Sequence, residues 1–385
     1  MLNRTLNANK LRDAWVEINL GNLEYNINSI KEKIKKHLPE DMEMPKLLAT
    51  IKADGYGHGS VMCATTLAAC GVEAFGVASV DEGLELRQNK ITSPILVLGA
   101  VPIWAFESAA KNDITVSIFN EEHLEAAKIL YDRTKIKIKA HIKIDTGMNR
   151  IGICHNRAKE FIKKVQNADY IDLNGIFTHF ADVENPNVLN LQRNNFKNVI
   201  NSIDRKGLII HCQNSLGAFV DPEIKCDMIR LGIILYGLTP LTYGKTPCVE
   251  LPKLKPVMGL KGRITNIHTV KKGEGISYGY TYVAKKDIKV ATIPIGYADG
   301  VSRNLSNRIF ASLNGKMIKQ VGRITMDQMM FDIGDNKAEV GDIITLLGHD
   351  ENDYYSVDEW AKILNTINYE LTCRLKVRLP RIYVR

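Results

Sequence analysis

Eight short apolar runs, separated by stretches long enough for helices, are the feature that most limits how this chain can fold. The runs lie at residues 47–52, 74–79, 95–99, 114–119, 138–145, 172–179, 208–213 and 227–236, and the intervening stretches include 59–71, 81–89, 120–133, 155–167 and 187–206. Buried strands that alternate with helices indicate a parallel sheet. Eight such units in about 240 residues predict a (β/α)8 barrel.

The pattern changes near residue 250, where helical spacing gives way to short strands and turns. Strand-like runs occur at 260–264, 290–295, 309–313 and 343–347, Asn314-Gly315 is a hairpin signal, and one helix is predicted at 356–364. We therefore predict a barrel domain over residues 12–249 and a mostly β domain over 250–385. The alternating run at 14–20 is predicted to be a strand that either opens the barrel domain or packs with the second domain.

A lysine closes the first apolar run, and glycines follow it at 55, 57 and 59. Lysine is rarely buried without a partner, and a desolvated lysine has a lowered pKa, so that it can attack a carbonyl group. The glycines allow the backbone to come close to a bound group. The alternative interpretation of Lys52 is a side chain at a strand end whose ammonium reaches solvent.

Polar residues also end several of the later runs. Arg150 follows the fifth run, His179 ends the sixth, Asn214 and Ser215 end the seventh, and Arg230 lies in the eighth. Taken singly, His179 could be a core histidine, Asn214 and Ser215 a helix cap, and Arg150 part of a surface ion pair. Together they favour a site, because the chemistry of such barrels lies at the C-terminal ends of the strands.

The last two strands of the predicted barrel carry a candidate phosphate site. Ser215 precedes a predicted helix start, and backbone amides near Gly232 follow the eighth run. The loops after strands seven and eight are the usual phosphate site of these barrels, and helix starts bind anions through their free N–H groups.

Composition excludes several other classes. The chain has 45% hydrophobic and 24% charged residues, and it has neither a run of 18 apolar residues nor a basic-then-apolar leader, so we expect a cytoplasmic protein without a membrane segment. The net charge of +8 is scattered, which argues against nucleic-acid binding. The seven cysteines show no metal-binding spacing and predict free, buried thiols and no metal site.

The segment Lys52-Ala53-Asp54-Gly55-Tyr56-Gly57-His58-Gly59 closely resembles the lysine motif with which alanine racemases bind pyridoxal 5'-phosphate (PLP). The resemblance covers roughly residues 12–385 and includes the segments 275–280 and 322–328. It implies a PLP-dependent isomerase that interconverts L- and D-alanine and supplies D-alanine for peptidoglycan. It also implies a homodimer with shared active sites and a small amino-acid substrate.

The resemblance implies a two-base mechanism. Lys52 would bind PLP and exchange a proton with the substrate on one face, and Tyr278 would do so on the other. Tyr278 and Met326 would come from the partner subunit to complete each site. Arg230 would face the pyridine nitrogen of PLP, where an arginine keeps its own proton and leaves that nitrogen unprotonated. This arrangement should disfavour transamination.

The same resemblance implies the remaining cofactor and substrate contacts. Arg150 would contact the phenolic oxygen of PLP and the substrate carboxylate, and Lys143 matches a position that is often carbamylated, which would orient Arg150. His179 would lie against the cofactor ring, supported by His211 and Arg230. The other implied cofactor contacts are Tyr56, Asn214, Ser215, Gly232, Ile233 and Tyr297.

One departure from the family pattern bears on the substrate. Val377 stands where a tyrosine that hydrogen-bonds the catalytic tyrosine is usual. Valine has no hydroxyl, so a wider pocket and a serine/alanine or broad-specificity racemase are alternatives, as in the catalytic domains of vancomycin-resistance serine racemases. Those domains follow a membrane segment, so the chain could also be a domain of a membrane-anchored protein. Asn149 and Thr325 replace a common glycine and a common cysteine.

Two further alternatives belong to other functional classes. A PLP-dependent amino-acid decarboxylase can share the same domain plan, but those enzymes favour an acidic residue at the pyridine nitrogen, where this chain has Arg230. A non-catalytic PLP-binding protein can consist of the barrel alone, and the second domain with Tyr278 and Met326 argues against it.

Overall fold

The computed structural model describes residues 12–39, 42–220, 224–239, 249–351, 353–375 and 377–385. The described residues form two compact units. One comprises residues 23–239 and 249–255, and the other comprises residues 12–22 and 256–385.

Strands and helices alternate through the first unit, and strands dominate the second. The strands are β1 (Ala14–Asn19), β2 (Lys46–Thr50), β3 (Ala74–Val77), β4 (Ile95–Val97), β5 (Ile114–Ile118), β6 (Ile138–Asp145), β7 (Ile153–Cys154), β8 (Ile171–Phe177), β9 (Ile209–His211), β10 (Met228–Leu231), β11 (Met258–Arg263), β12 (Asn266–Val270), β13 (Gly275–Ile276), β14 (Tyr282–Val283), β15 (Ile288–Ile293), β16 (Phe310–Leu313), β17 (Lys316–Val321), β18 (Met329–Asp332), β19 (Ile343–Asp350), β20 (Asp353–Tyr355) and β21 (Arg381–Val384). The α-helices are α1 (Leu20–His37), α2 (Lys52–Tyr56), α3 (Ser60–Ala69), α4 (Val80–Gln88), α5 (Phe106–Lys111), α6 (Glu121–Thr134), α7 (Ala158–Gln166), α8 (Pro186–Asn201), α9 (Gly217–Val220), α10 (Val357–Leu364) and α11 (Asn368–Arg374).

The first unit is a (β/α)8 barrel, which confirms the predicted fold class. Eight parallel strands are ordered β10-β2-β3-β4-β5-β6-β8-β9, and β7 is an extra strand beside β6. The Asp227 N–H donates to the Ile210 carbonyl at 2.8 Å, and the Arg230 N–H donates to the Gln213 carbonyl at 3.1 Å. These two bonds join the chain around β9 and β10 and nearly close the barrel.

Each predicted apolar run overlaps one of the eight strands, but the eighth run was predicted too long. Only Met228–Leu231 is a strand, and Ile233–Tyr236 is a 3-10 helix. Gly232, between them, has a φ of −125° and a ψ of −114°, so the chain leaves the extended conformation there. The break places backbone amides at the C-terminal end of the strand, where the sequence predicts a phosphate site.

The second unit is built on a ten-stranded sheet whose main path is β12-β15-β18-β17-β16-β19-β11-β1-β21, with β20 beside β19. Neighbouring strands along this path are antiparallel except for β1 and β21. The N-terminal strand β1 pairs with β11 and β21 of this unit. Asn314 and Gly315 form the predicted hairpin turn between β16 and β17, with φ values of 51° and 69°. The unit is thus mostly β, as predicted.

Among the described residues, no helix is long and apolar enough to span a membrane. Six cysteines of this part of the chain are free thiols. Their predicted burial is wrong for Cys154 and Cys373, which are exposed, and Cys248 lies outside the described residues. The same part of the chain holds no group of three or more histidine, cysteine or acidic side chains placed to bind a metal.

Candidate active site

Lys52 begins a short turn of left-handed backbone directly after β2 and Ile51. Ala53, Asp54 and Gly55 have φ values of 53°, 53° and 61° and ψ values of 51°, 49° and 42°, and Tyr56 has a φ of 54°. The left-handed conformation costs about 1–2 kcal/mol for each residue with a side chain. Strain of this kind persists only where surrounding contacts enforce it, and it is concentrated at functional sites.

Several contacts hold this turn against the barrel. The Gly55 and Gly57 N–H groups donate to the carbonyls of Ile51 and Ala53 at 2.8 and 2.9 Å. The side chain of Tyr236 packs against the Tyr56 ring, with ring centroids 5.3 Å apart, and donates to the Thr50 carbonyl at 3.2 Å. The turn therefore joins Lys52 firmly to the end of the strand.

Tyr56, Ser215 and Gly232 meet at the ends of β2, β9 and β10. The Gly232 N–H donates to Oγ of Ser215 at 2.8 Å. A Cβ atom placed on Gly232 would lie 3.0 Å from Oη of Tyr56 and 3.5 Å from Oγ of Ser215. Two hydroxyls and a backbone amide thus converge on a position that a side chain would fill. Asn214, by contrast, caps α9, because its Oδ1 accepts the Gly217 N–H at 2.9 Å.

Arg230 is a buried cation whose described partners are carbonyls and histidines. Its Nη2 donates to the Thr178 carbonyl at 2.7 Å and to the Cys212 carbonyl at 3.2 Å, and it lies 3.4 Å from Nδ1 of His179. Its guanidinium also covers the Phe177 ring. Burial lowers the pKa of Arg230 to about 10, so the guanidinium stays protonated at neutral pH.

Two buried histidines, His211 and His141, form a hydrogen-bonded chain that leads from Arg230 into the barrel. Nη1 of Arg230 lies 2.9 Å from Nδ1 of His211, and Nε2 of His211 lies 2.9 Å from Nδ1 of His141. Because the guanidinium only donates, Nδ1 of His211 must accept and its Nε2 must carry the proton. Burial, with a contribution from Arg230, lowers the pKa of His141 to about 3 and that of His211 well below its ordinary value. Both rings are therefore neutral.

Four cations surround His179 at the C-terminal end of the barrel. The pKa of His179 lies well below its ordinary value. Burial is the largest cause, and the charges of four side chains add to it, namely Arg230, Lys143, Arg150 and Lys52. Burial and the three other cations lower the pKa of Lys143 to about 7, against a smaller opposing effect of Asp145. The Lys143 ammonium also lies 5.1 Å from the centre of the Phe177 ring. This end of the barrel is thus strongly electropositive and suits an anionic ligand.

The turn that carries Arg150 is organised by Asp145 at the end of β6. Oδ1 of Asp145 accepts the N–H groups of Gly147 and Asn149 at 3.0 and 3.1 Å. Asn149 has a φ of 55°, a conformation that asparagine tolerates better than most residues. This explains how Asn149 replaces the glycine that is common at this position. Arg150 follows on an exposed part of the turn.

In the second unit, Tyr278 lies on an exposed 3-10 turn at residues 278–280, with 70% of its surface accessible. The preceding Ser277 has a φ of 62°, and its Oγ donates to the Arg323 carbonyl at 2.8 Å. A Cβ atom on Gly322 would lie 2.8 Å from the Ile276 carbonyl oxygen. The Tyr278 turn is therefore packed closely against the segment 322–326.

The same segment also binds the turn of Tyr297. The Tyr297 N–H donates to the Thr325 carbonyl at 3.0 Å, and the Ala298 N–H donates to the Met326 carbonyl at 3.0 Å. The Thr325 hydroxyl donates to the Gln328 carbonyl at 2.9 Å and so closes the turn that presents Met326, which is 53% exposed. Residues 322–326 thus bring Tyr278, Tyr297 and Met326 to one region of this unit.

A buried carboxylate, Asp299, stabilises the region that holds Tyr278, Tyr297 and Met326. Asp299 has no accessible surface, and its Oδ2 accepts from Arg12 at 2.7 Å and from the Gly296 N–H at 2.9 Å. Arg378 bridges Asp299 at 3.2 Å and Asp327 at 2.6 Å. Its neighbour Val377 is 87% exposed, so in the part of the chain that the structure describes no contact restricts this position to a small side chain.

The residues of the barrel fit PLP. The phosphate of PLP needs several N–H or O–H donors. The hydroxyls of Tyr56 and Ser215 are suitable, and the Gly232 N–H, which donates to Oγ of Ser215, holds the second of them in place. The phenolic oxygen of PLP and a substrate carboxylate add further negative charge, which Lys52, Arg150 and Arg230 would balance. Lys52 supplies the primary amine that the cofactor aldehyde requires.

The structure brings together the site residues predicted in each unit, and it adds some that were not predicted. Lys52, Tyr56, Arg150, His179, Ser215, Arg230, Gly232 and Lys143 lie in the barrel, as do Asn214 and Ile233. The buried residues His141 and Asp299 were missed. The signal for His141 was a polar residue inside an apolar run. Asp299 had no comparable signal, because Arg12 is 287 residues away.

Two family models match the chain in order. "Alanine racemase, N-terminal domain" matches residues 18–240, and "Alanine racemase, C-terminal domain" matches residues 257–383. Alanine racemase 1 of Oceanobacillus iheyensis is 39% identical over 381 residues, covering 97% of this chain and 98% of that one.

Solved structures agree with this assignment. Alanine racemase from Bacillus anthracis, with bound L-Ala-P, is 35% identical with a TM-score of 0.88 and covers 98% of this chain and 96% of its own. Histidine racemase from Leuconostoc mesenteroides is 29% identical with a TM-score of 0.87 and covers 97% of this chain and 99% of its own. The chain therefore belongs to the alanine racemase family, whose members are PLP-dependent isomerases.

Proposed function

We propose that this chain is a PLP-dependent racemase that interconverts L- and D-alanine, with Lys52 and Tyr278 as its two bases. Within the barrel, the main support for the proposal is the electropositive cluster around His179. This cluster combines a primary amine with positive charges that complement the anionic groups of PLP and an amino acid. Membership of the alanine racemase family supports the reaction type.

Racemisation requires that the Cα proton leave one face of the substrate and that a proton return on the other. We assign Nζ of Lys52 to one face and Oη of Tyr278 to the other, so that each group takes a proton in one direction and gives it in the reverse direction. When bound, PLP supplies the electron sink that makes the Cα proton removable. Lys52 would also hold the cofactor covalently.

Arg230 would face the pyridine nitrogen of the cofactor. Its pKa of about 10 keeps the guanidinium charged at neutral pH, so it would not pass a proton to that nitrogen. The proposal follows from the position of Arg230 between His211 and His179, which leaves no carboxylate among its described hydrogen-bond partners. Such a site favours return of the proton to Cα over transfer to the cofactor.

The remaining barrel residues would bind the charged parts of cofactor and substrate. Tyr56, Ser215, Gly232 and Ile233 would hold the phosphate, with Asn214 acting through the cap of α9. His179, a neutral ring, would lie against the cofactor.

Arg150 would bind the substrate carboxylate and the phenolic oxygen of PLP. We also propose that Lys143 forms a carbamate with CO2, because a pKa of about 7 leaves much of the amine neutral and nucleophilic. The carbamate would add a negative charge that orients Arg150.

We propose a homodimer in which Tyr278 and Met326 of one subunit complete the site of the other. The exposure of Tyr278 and Met326 supports this, since large apolar side chains on a strained, well-anchored turn suit contact with a partner. By family membership, we further propose a cytoplasmic enzyme that supplies D-alanine for peptidoglycan.

A serine/alanine or broad-specificity racemase is the second candidate, and Val377 favours it. The side chain is exposed and small where the family commonly has tyrosine. Histidine racemase, which shares the fold at 29% identity, is named for a larger substrate than alanine.

A panel of single L-amino acids, followed by loss of optical rotation with the PLP-loaded protein, tests the proposal. We expect L-alanine to react fastest, and Val377→Tyr to raise the preference for alanine over serine by about tenfold, with Val377→Ala as control. L-serine equal to L-alanine would favour the second candidate. Release of CO2, or no racemisation of any amino acid, would overturn the proposal.

A further inference from the structure

We infer that Glu82, on α4, is a positioning residue for Lys52, because its carboxylate holds the left-handed turn that begins at this lysine. The inference rests on the proposed role of Lys52 as the PLP-binding residue. It concerns a side chain on a different helix, 30 positions farther along the chain.

Both carboxylate oxygens of Glu82 accept backbone N–H groups at the ends of neighbouring barrel strands. Oε1 accepts the Ala53 N–H at 2.8 Å, and Oε2 accepts the Ala78 N–H at 2.7 Å. Ala53 follows β2 and Lys52, and Ala78 follows β3. Glu82 therefore links the Lys52 turn to the next strand of the barrel.

The Ala53 N–H belongs to the peptide bond that directly follows Lys52. The peptide between Lys52 and Ala53 is planar, so a hydrogen bond to its N–H also sets the orientation of the Lys52 carbonyl and of the backbone from which the lysine side chain extends. The first N–H groups of a helical turn have no partner within the turn and need an external acceptor. A carboxylate at the start of a turn is also favourable because of the backbone dipole.

The Glu82 side chain is itself held in place. The Ser79 hydroxyl oxygen accepts the Glu82 N–H at 3.3 Å and caps α4. At the other end of the left-handed turn, Oδ1 of Asp54 accepts the Ser60 N–H at 2.8 Å. Glu82 and Asp54 thus brace the beginning and the end of a backbone segment that has unfavourable φ angles at Ala53, Asp54 and Tyr56.

A glutamine at position 82 would retain one acceptor oxygen and turn its NH2 group, a donor, toward one of the two N–H groups. We expect Glu82→Gln to let the turn relax toward ordinary backbone angles and to move the Lys52 amine. Glu85→Gln is the matched control, because Glu85 lies on the same helix with an exposed side chain.

The test measures how fast PLP attaches to the apoprotein, by absorbance and by borohydride reduction followed by mass analysis, together with the PLP dissociation constant and the melting temperature. We expect Glu82→Gln to slow attachment about tenfold or more, and Glu85→Gln to leave it unchanged. Adding Ala53→Gly to Glu82→Gln should recover part of the rate, because glycine adopts the left-handed conformation without strain. A residue that only capped α4 would not be rescued in this way.

The variant Lys52→Ala distinguishes a failure of the inference about Glu82 from a failure of the proposed role of Lys52. If Lys52→Ala abolishes covalent attachment while Glu82→Gln attaches PLP as fast as the wild type, the inference about Glu82 is wrong and the proposed role of Lys52 stands. If Lys52→Ala still attaches PLP at the same rate and site, the proposed role of Lys52 itself fails. Should Glu82→Gln not fold, Glu82→Asp, which keeps the charge but has a shorter reach, provides the same comparison.

Discussion

Arg230 and His211 are joined by a hydrogen bond of 2.9 Å from Nη1 to Nδ1, and this bond determines which nitrogen of the histidine carries the proton. His211 then donates from Nε2 to His141, so an arginine proposed to face the cofactor is supported by a chain of two neutral rings inside the barrel. Each hydrogen bond in this chain fixes the orientation of the next side chain. In metal sites, residues that hydrogen-bond to the metal ligands orient those ligands in the same way.

Gly175 allows this chain of rings to fit, and Gly175→Ala should disrupt it. The added Cβ atom would lie 2.7 Å from Cε1 of His141 and 2.7 Å from the Ile209 carbonyl oxygen. We expect a loss of about 1–3 kcal/mol in the free energy of unfolding, measured in urea, together with a lower kcat. The control is Gly207→Ala, whose Cβ meets none of the described residues within 4 Å but whose φ of 77° strains a side chain; it should affect stability alone. Equal kcat values for the two variants would contradict the role of the histidine chain.

The state of Lys143 should depend on pH and on CO2. The carbamate forms from the neutral amine, whose fraction rises as the pH passes through about 7. At constant dissolved CO2, a carbamate signal in carbon NMR with isotopically labelled bicarbonate should therefore grow across that range and be absent in Lys143→Met. A signal that persists in the variant, or none in the wild type above pH 7, would refute carbamylation.

The same pKa also makes a prediction for the stability of the apoprotein without CO2. Burial lowers the pKa of Lys143 from 10.5 to about 7, so between these values the unfolded chain binds more protons than the folded one. The contribution of this lysine to stability is therefore least favourable below pH 7 and improves as the pH rises toward 10.5. Thermal unfolding should show that Lys143→Met stabilises the protein more at pH 7 than at pH 10; a gain independent of pH would be inconsistent with the lowered pKa.

Tyr278→Phe should retain PLP and lose most of its turnover. Removal of one hydroxyl leaves the turn at 278–280 intact but deletes the group proposed to carry a proton, which lowers kcat by about a hundredfold or more. Tyr280→Phe is the matched control, because Tyr280 is 69% exposed and lies on the same turn. Both variants should show the PLP absorbance of the wild type. Turnover unchanged in Tyr278→Phe would rule out this tyrosine as a base.

Asp299→Asn should destabilise the second unit. The carboxylate is buried between Arg12 and Arg378, and removing its charge leaves Arg12 with an amide in place of its partner. The arginines left behind are partly exposed, with 23% of the Arg12 side chain and 41% of the Arg378 side chain accessible, so we expect a loss of about 1–3 kcal/mol in the free energy of unfolding. Asp327→Asn, which removes a partner of Arg378 that is 53% exposed, should have little effect. Similar denaturation curves for the two variants would show that the burial of Asp299 does not matter.

The strand pattern and the ends of the strands were the parts of the structure that the sequence predicted well. Lys52, His179 and Arg230 could be found because polar residues at the ends of apolar runs are unusual. The break at Gly232 was missed, because Ile233–Tyr236 is as apolar as the strand before it and length alone did not separate them.

Glu82 and the left-handed turn could not be predicted from the sequence for a different reason. The glycines after Lys52 indicated unusual backbone, but Ala53 and Asp54, which share the left-handed angles, carry no such signal. Glu82 binds backbone N–H groups, and any residue at position 53 other than proline would offer the same donor. Its position in Ser79-Val80-Asp81-Glu82 is that of an ordinary helix start.

Incorporation of solvent deuterium at Cα of the product is the measurement that tests racemisation by two bases most directly. L-alanine would be incubated in D2O with the PLP-loaded protein. The first D-alanine formed would be separated, and its deuterium content would be determined by mass spectrometry. Because the returning proton comes from a group other than the one that removed it, early D-alanine should carry deuterium at Cα while the remaining L-alanine stays unlabelled. D-alanine that keeps the original proton, or no D-alanine at all, would contradict the assignment of Lys52 and Tyr278.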